Sequence, residues 1–223
     1  MVRANYLISA AVLALLAVPA AAEPLSIQVR FAWDPGEART MTTDRGFAVR
    51  IDKMELTNAG FALIPCDEQS LRRGSGIVRV GHFSGALPNQ LPIEKRVSPI
   101  ENAPFAIEGF DPPDLAYCQA HTVLGAPPGG LNLILDGAFR APGDDTWRPL
   151  TVATPEAFGA FVDMVGPDGA PFRGHLGGYL SIVVTRPIAG WFDGIDLTTA
   201  SGVAIGRAAL RRIATGTRVT LSR

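Results

Sequence analysis

Ser26-Ile27-Gln28-Val29-Arg30-Phe31-Ala32-Trp33 is the stretch that decides the fold class. Ile27, Val29, Phe31 and Trp33 share one parity, while Ser26, Gln28 and Arg30 share the other. A period of two with one apolar face is the signature of a half-buried strand. Asp34-Pro35-Gly36 ends the run with residues that favour a turn.

Outward from that strand the same period recurs. In Gly46 to Thr57, Phe47, Val49 and Ile51 lie on one parity and Met54 and Leu56 on the other, so a β-bulge or a strand bend is expected at Asp52-Lys53. Asn58-Ala59-Gly60 reads as a tight turn that returns Phe61 to Cys66 as a short strand. Further strand candidates are Ile77 to Phe83, Phe105 to Phe110, Ala116 to Leu124, Leu131 to Phe139, Trp147 to Val152, Tyr179 to Thr185 and Trp191 to Leu197. One segment reads as helix, Gly206 to Thr215, with Arg211 and Arg212 in its last turn and Gly216 at a C′-like stop. A terminal strand, Thr217 to Leu221, follows. Pro/Gly clusters separate nearly all these runs. About ten strands in this length make an all-β chain: a single antiparallel β-sandwich with one short helix near the C-terminus. Residues 23–223 read as one domain, with a division near Pro155 to Pro171 as the alternative.

Composition agrees with that class and excludes others. Gly (24) and Pro (18) together exceed ordinary usage, which argues against a helical bundle. The 20 basic and 21 acidic residues nearly cancel, so no electrostatic footprint for nucleic acid or a polybasic membrane patch is present. Hydrophobic residues, at 47%, are abundant enough for a core.

Residues 1–22 read as a secretory signal peptide: Arg3, an apolar run from Leu7 to Val18, then Pro19-Ala20-Ala21-Ala22 before Glu23. The mature chain holds no apolar stretch long enough to span a membrane. A periplasmic or secreted location is therefore expected. Cys66 and Cys118, an even pair in an oxidising compartment, read as one disulfide. A pair of thiolate metal ligands is the alternative, and no Cys-x-x-Cys spacing supports it.

Catalytic patterns are missing, and an enzyme is not expected. No Gly-x-Ser-x-Gly elbow, phosphate loop or dinucleotide fingerprint occurs. Ser84 lies two residues from His82, yet no orienting carboxylate accompanies them. Asp144-Asp145 reads as a solvated turn, and Asp193 with Asp196 as acids that cap turn amides. The histidines are His82, His121 and His175. If Cys118 points into the core, strand alternation turns His121 outward, where a surface metal site could use it.

Several features together resemble the periplasmic MbnP-like β-sandwich proteins of methanobactin and copper handling and the related copper-repressible surface proteins. They are Leu25 to Phe31 after the leader, the long strand Phe47 to Leu56, Tyr117-Cys118 with His121, and Trp191-Phe192-Asp193-Gly194-Ile195-Asp196. The resemblance implies copper(I) held by two histidines beside a tryptophan oxidised to kynurenine, with a di-haem peroxidase or a metal-uptake receptor as partner. It carries over to His121 and, by position, His82; His175 is a third candidate. The family's Trp-x-His pair is lacking here. An exported protein that binds or handles copper(I) is the reading that follows. A metal-free scaffold recognising a partner through its loops is the alternative.

Overall fold

The computed structural model describes residues 26–36, 38–67 and 87–223. The leader, the strand expected at Ile77 to Phe83, His82 and Ser84 lie outside the described residues.

Eleven strands and one helix are described: β1 (Ile27–Trp33), β2 (Thr40–Thr42), β3 (Ala48–Pro65), β4 (Gln90–Val97), β5 (Phe105–Phe110), β6 (Tyr117–Leu124), β7 (Leu133–Arg140), β8 (Arg148–Thr154), β9 (Phe158–Val165), β10 (Ser181–Arg186), α1 (Gly202–Thr215) and β11 (Arg218–Ser222). The hydrogen-bonded path runs β5-β1-β10-β11-β9-β6-β3-β7-β8, and β2 and β4 also pair with β3. Most pairs are antiparallel, but β1 with β10 and β11 with β9 are parallel. The fold is thus mostly β with one helix near the C-terminus, as expected. The antiparallel sandwich is corrected to a mixed, curled half-barrel. Segments far apart in sequence meet at both parallel junctions, and such pairings leave no local signal.

β3 is the pivot. Its first half pairs with β7 and its second half with β6 and β4. The turn expected at Asn58-Ala59-Gly60 is instead a register shift inside this 18-residue strand. Asn58 faces Leu124 and Gly60 faces Val123, so Ala59 is extra. The bulge expected at Asp52 is present, between Ile51 facing Gly137 and Lys53 facing Asp136. Gly137 is the partner that makes it possible, because a Cβ there would overlap the Arg50 carbonyl oxygen.

The buried side chains form two clusters. One gathers Trp33, Ile51, Met54, Leu56, Leu133, Trp191, Phe192 and the apolar face of α1. The other gathers Val29, Phe31, Phe61, Leu63, Tyr117, Met164 and Val184. Helix α1 starts earlier than expected because Ser201 caps it, its Oγ accepting the Ala204 N–H at 3.3 Å. It packs closely on β8: a Cβ on Gly206 would lie 2.7 Å from Val152 Cγ1. Gly216 does end the helix, but with φ of −86° it is not left-handed. Glycine is required there by the approach of Pro187, whose Cγ would sit 2.7 Å from a Cβ. Trp191 to Leu197, expected as a strand, is a series of turns. Its two aromatics are driven fully into the core, with the Trp191 indole N–H donating to the Pro187 carbonyl at 2.8 Å. Among the described residues no helix is long and apolar enough to cross a membrane.

Candidate functional site

Cys66 and Cys118 form the disulfide the even pair implied, which removes both sulfurs from the set of thiolate ligands. The bridge joins the end of β3 to the start of β6, where the Cys66 N–H donates to the Ala116 carbonyl at 2.9 Å. Arg173 Nη1 lies 3.9 Å from Cys118 Sγ.

The histidines do not sit as the strand alternation suggested. His121 is not outward at a surface; it is 7% exposed. β6 is a central strand flanked by β3 and β9, and nearly every residue on both its faces is buried. The His121 ring lies parallel to Phe161, centroids 4.4 Å apart. His175 is exposed, and its Nδ1 is 2.7 Å from Asp114 Oδ1. Gly174 bridges Tyr117, so His175 enters beside a position four residues, about 13 Å, from His121 along β6. Asp114 draws the His175 ring further away, toward the segment before Tyr117. One ion with bonds near 2 Å is not shared by these two as placed. His82 lies outside the described residues. Among the described residues no group of three or more His, Cys, Asp or Glu is placed to hold a metal.

The acids act on backbone amides, as read from the turns. Asp144 accepts the Thr146 N–H at 2.9 Å and pairs with Arg148, and the Thr146 N–H bond, with help from Arg148, holds its carboxyl below the ordinary value. Asp196 accepts the Thr198 hydroxyl and N–H, which lower its pKa. Of the tryptophans, Trp33 and Trp191 are buried, whereas Trp147 is half-exposed between Arg50 and Arg140, each 5.4 Å from its ring centroid.

A built concavity lies elsewhere, where β9 ends, β10 begins and β11 ends. The hairpin-like loop after β9 is closed by the Gly166 N–H donating to the Ala170 carbonyl at 2.8 Å and by Asp168, whose Oδ1 accepts the Ala170 N–H. Gly169, at φ +79°, supplies the left-handed residue this turn needs. The loop leads to Phe172, whose N–H returns to the Met164 carbonyl. The resulting pocket of about 420 Å³ is lined by Asp168, Pro171, Phe172, Arg173, Tyr179 and Arg223, among others. Phe172 and Tyr179 meet edge to face at 5.4 Å, and the Arg223 guanidinium lies 5.6 Å from the Tyr179 ring centre.

No family model, curated protein or solved structure matches the chain. The site is therefore read from its own chemistry. Two aromatic rings offer an apolar wall, and two guanidiniums offer donors suited to a carboxylate or phosphate. By sequence, Gly166 to Pro171 is one of the Pro/Gly clusters between strands, and no motif in it marks the pocket. The available signal was two aromatics and an arginine packed closely around that turn, at Phe172, Arg173 and Tyr179.

Proposed function

We propose that this is an exported binding protein that takes a small anionic ligand, aromatic or apolar in body, in the loop pocket between β9 and β10. The observation that carries the reading is the convergence of Phe172, Tyr179, Arg173 and Arg223 on one concavity. Its volume falls in the range of small-molecule sites, roughly 300–1,000 Å³. The Arg223 guanidinium lies over the face of Tyr179 in the lining of the pocket, where it offers a positive charge to a ligand. Titration calorimetry with benzoate, and with benzamide as the uncharged counterpart, tests the reading. Benzoate should bind the wild type more tightly than benzamide, and Tyr179→Ala and Arg223→Gln should each weaken it about tenfold. Equal heats for wild type and both variants would reject the pocket.

Copper(I) handling is the second reading, and the burial of His121 favours it, because an imidazole held away from bulk water suits a soft, low-coordinate ion. His82, outside the described residues, is the remaining candidate beside His121, since His175 as placed does not share an ion with it, and a di-haem peroxidase or a metal-uptake receptor is the implied partner. His121→Ala should then abolish copper retention in protein purified from the export compartment. Retention at the wild-type level would leave the ligand pocket as the sole reading.

A further inference from the structure

Arg173 is shared between the loop pocket and the disulfide. It lines the concavity, and its Nη1 lies 3.9 Å from Cys118 Sγ. The next residue fixes it there. Gly174 accepts the Tyr117 N–H at 2.9 Å and donates its own N–H to the Tyr117 carbonyl at 3.2 Å, one position before Cys118. His175 adds a further tie through Asp114. The two sulfurs differ in setting. Cys118 is 3% exposed on the central strand β6, whereas Cys66 is half-buried just past the end of β3 and is followed by the exposed Asp67.

That asymmetry has a chemical consequence. A disulfide opens when a thiolate attacks one sulfur and the other departs as a thiolate, and it opens faster when the departing thiolate is stabilised. A guanidinium beside a sulfur favours the thiolate form. Attack at the more accessible Cys66 puts the departing charge on Cys118, where Arg173 already stands. A bridge that only staples β3 to β6 needs no cation at its buried sulfur.

We infer that Cys66–Cys118 is a thiol–disulfide exchange site, with Cys66 the attacked sulfur, Cys118 the leaving group, Arg173 its electrostatic support and small dithiols the class of co-substrate. The dithiol's thiolate bonds to Cys66 Sγ as the S–S bond breaks, and the electron pair leaves on Cys118, which then takes up a proton. The second thiolate of the dithiol displaces Cys66. The dithiol is thereby oxidised to its own disulfide, and two electrons and two protons remain on the two cysteines. An anion in the loop pocket takes up the same guanidinium and so slows the exchange; this part rests on the pocket reading above.

The second-order rate constant for reduction of the oxidised protein by dithiothreitol, at neutral pH and fixed ionic strength, tests the assignment. Arg173→Gln should react about tenfold more slowly than wild type, and Arg173→Lys, which keeps the charge, should stay close to wild type. An arginine that merely packed over the bridge would expose the sulfurs when removed and speed the reaction. An equal or faster Arg173→Gln would therefore overturn the assignment. Glutathione, quenched in acid and mapped by peptide mass, should be found on Cys66; its capture on Cys118 would overturn the direction of attack. Benzoate should slow wild type several-fold and leave Arg173→Gln unchanged. Benzoate that binds by calorimetry yet leaves wild-type reduction unchanged overturns the sharing of Arg173. Benzoate that neither binds nor slows removes the loop pocket, while a slow Arg173→Gln still sustains the exchange site.

Discussion

Asp44 and Asp193 hold each other's loops: the Asp44 carboxylate accepts the Gly194 N–H at 2.7 Å, and the Asp44 N–H donates to Asp193 Oδ1 at 3.0 Å. The two residues are 149 positions apart, so this reciprocal clasp ties the turn before β3 to the turns that precede α1. It also explains why Trp191 to Leu197 does not extend as a strand. Its amides and carboxylates are satisfied within turns and across to Asp44 rather than along a neighbouring strand. Asp44→Ala should cost about 1 kcal/mol, since hydrogen bonds of this kind are worth about 0.5–1.5 kcal/mol net. Urea unfolding of Asp44→Ala, Asp193→Ala and the double variant checks it. The double variant should lose clearly less than the sum, because each single change already breaks the shared clasp. Strict additivity would show that the two residues act apart.

Gly137 and Gly177 should respond oppositely to the same substitution. A Cβ on Gly137 meets the Arg50 backbone, which cannot step aside without breaking the β3–β7 bulge. Gly137→Ala is therefore expected to cost about 2–3 kcal/mol, the upper part of the range for overpacking a well-filled site. Gly177 faces open space and its backbone is not left-handed, so Gly177→Ala should be close to neutral. Chemical denaturation of the two variants side by side is the measurement; similar losses would refute the packing account.

Removing the Cys66–Cys118 bridge should lower stability by about 4 kcal/mol, the chain-entropy value for a loop of this length. The separation of 52 residues sets that figure. The double variant Cys66→Ala, Cys118→Ala avoids leaving a lone thiol, and its urea midpoint against wild type gives the number. An unchanged midpoint would place the stabilisation elsewhere.

Asp196 should contribute to acid stability with a definite sign. Its pKa is lowered by the Thr198 hydroxyl first and then the Thr198 N–H, so the folded state holds the carboxylate more readily than the unfolded chain does. Its contribution is present above the ordinary value of 3.8 and is lost as pH falls through the lowered folded value. Asp196→Asn should thus flatten stability against pH only on the acid side of that point and leave the slope near neutrality unchanged. A change confined to neutral pH would contradict the assignment.

Much of this molecule was legible in order along the chain. Alternation from Ile27 to Trp33 is realised as β1, the parity switch at Asp52 as a bulge, Phe105 to Phe110 as β5, and the even cysteine pair as a bridge. These are local effects, set by side-chain period, turn chemistry and the redox consequence of two sulfurs. Three-dimensional contact alone decided the rest. Asn58-Ala59-Gly60 has the residues of a turn, yet ladders on both sides of β3 hold it extended, because pairing with β4 and β6 satisfies more backbone than a local reversal would. With Cys118 turned into the core, alternation points His121 outward, a rule that holds when one sheet face meets solvent. In a central strand of a curled sheet both faces are covered, and parity no longer reports exposure. The parallel junctions and the pocket around Tyr179 both depend on strands distant in sequence coming together. Which segments become neighbours is set by the summed packing of the whole chain, and no window of residues contains that sum.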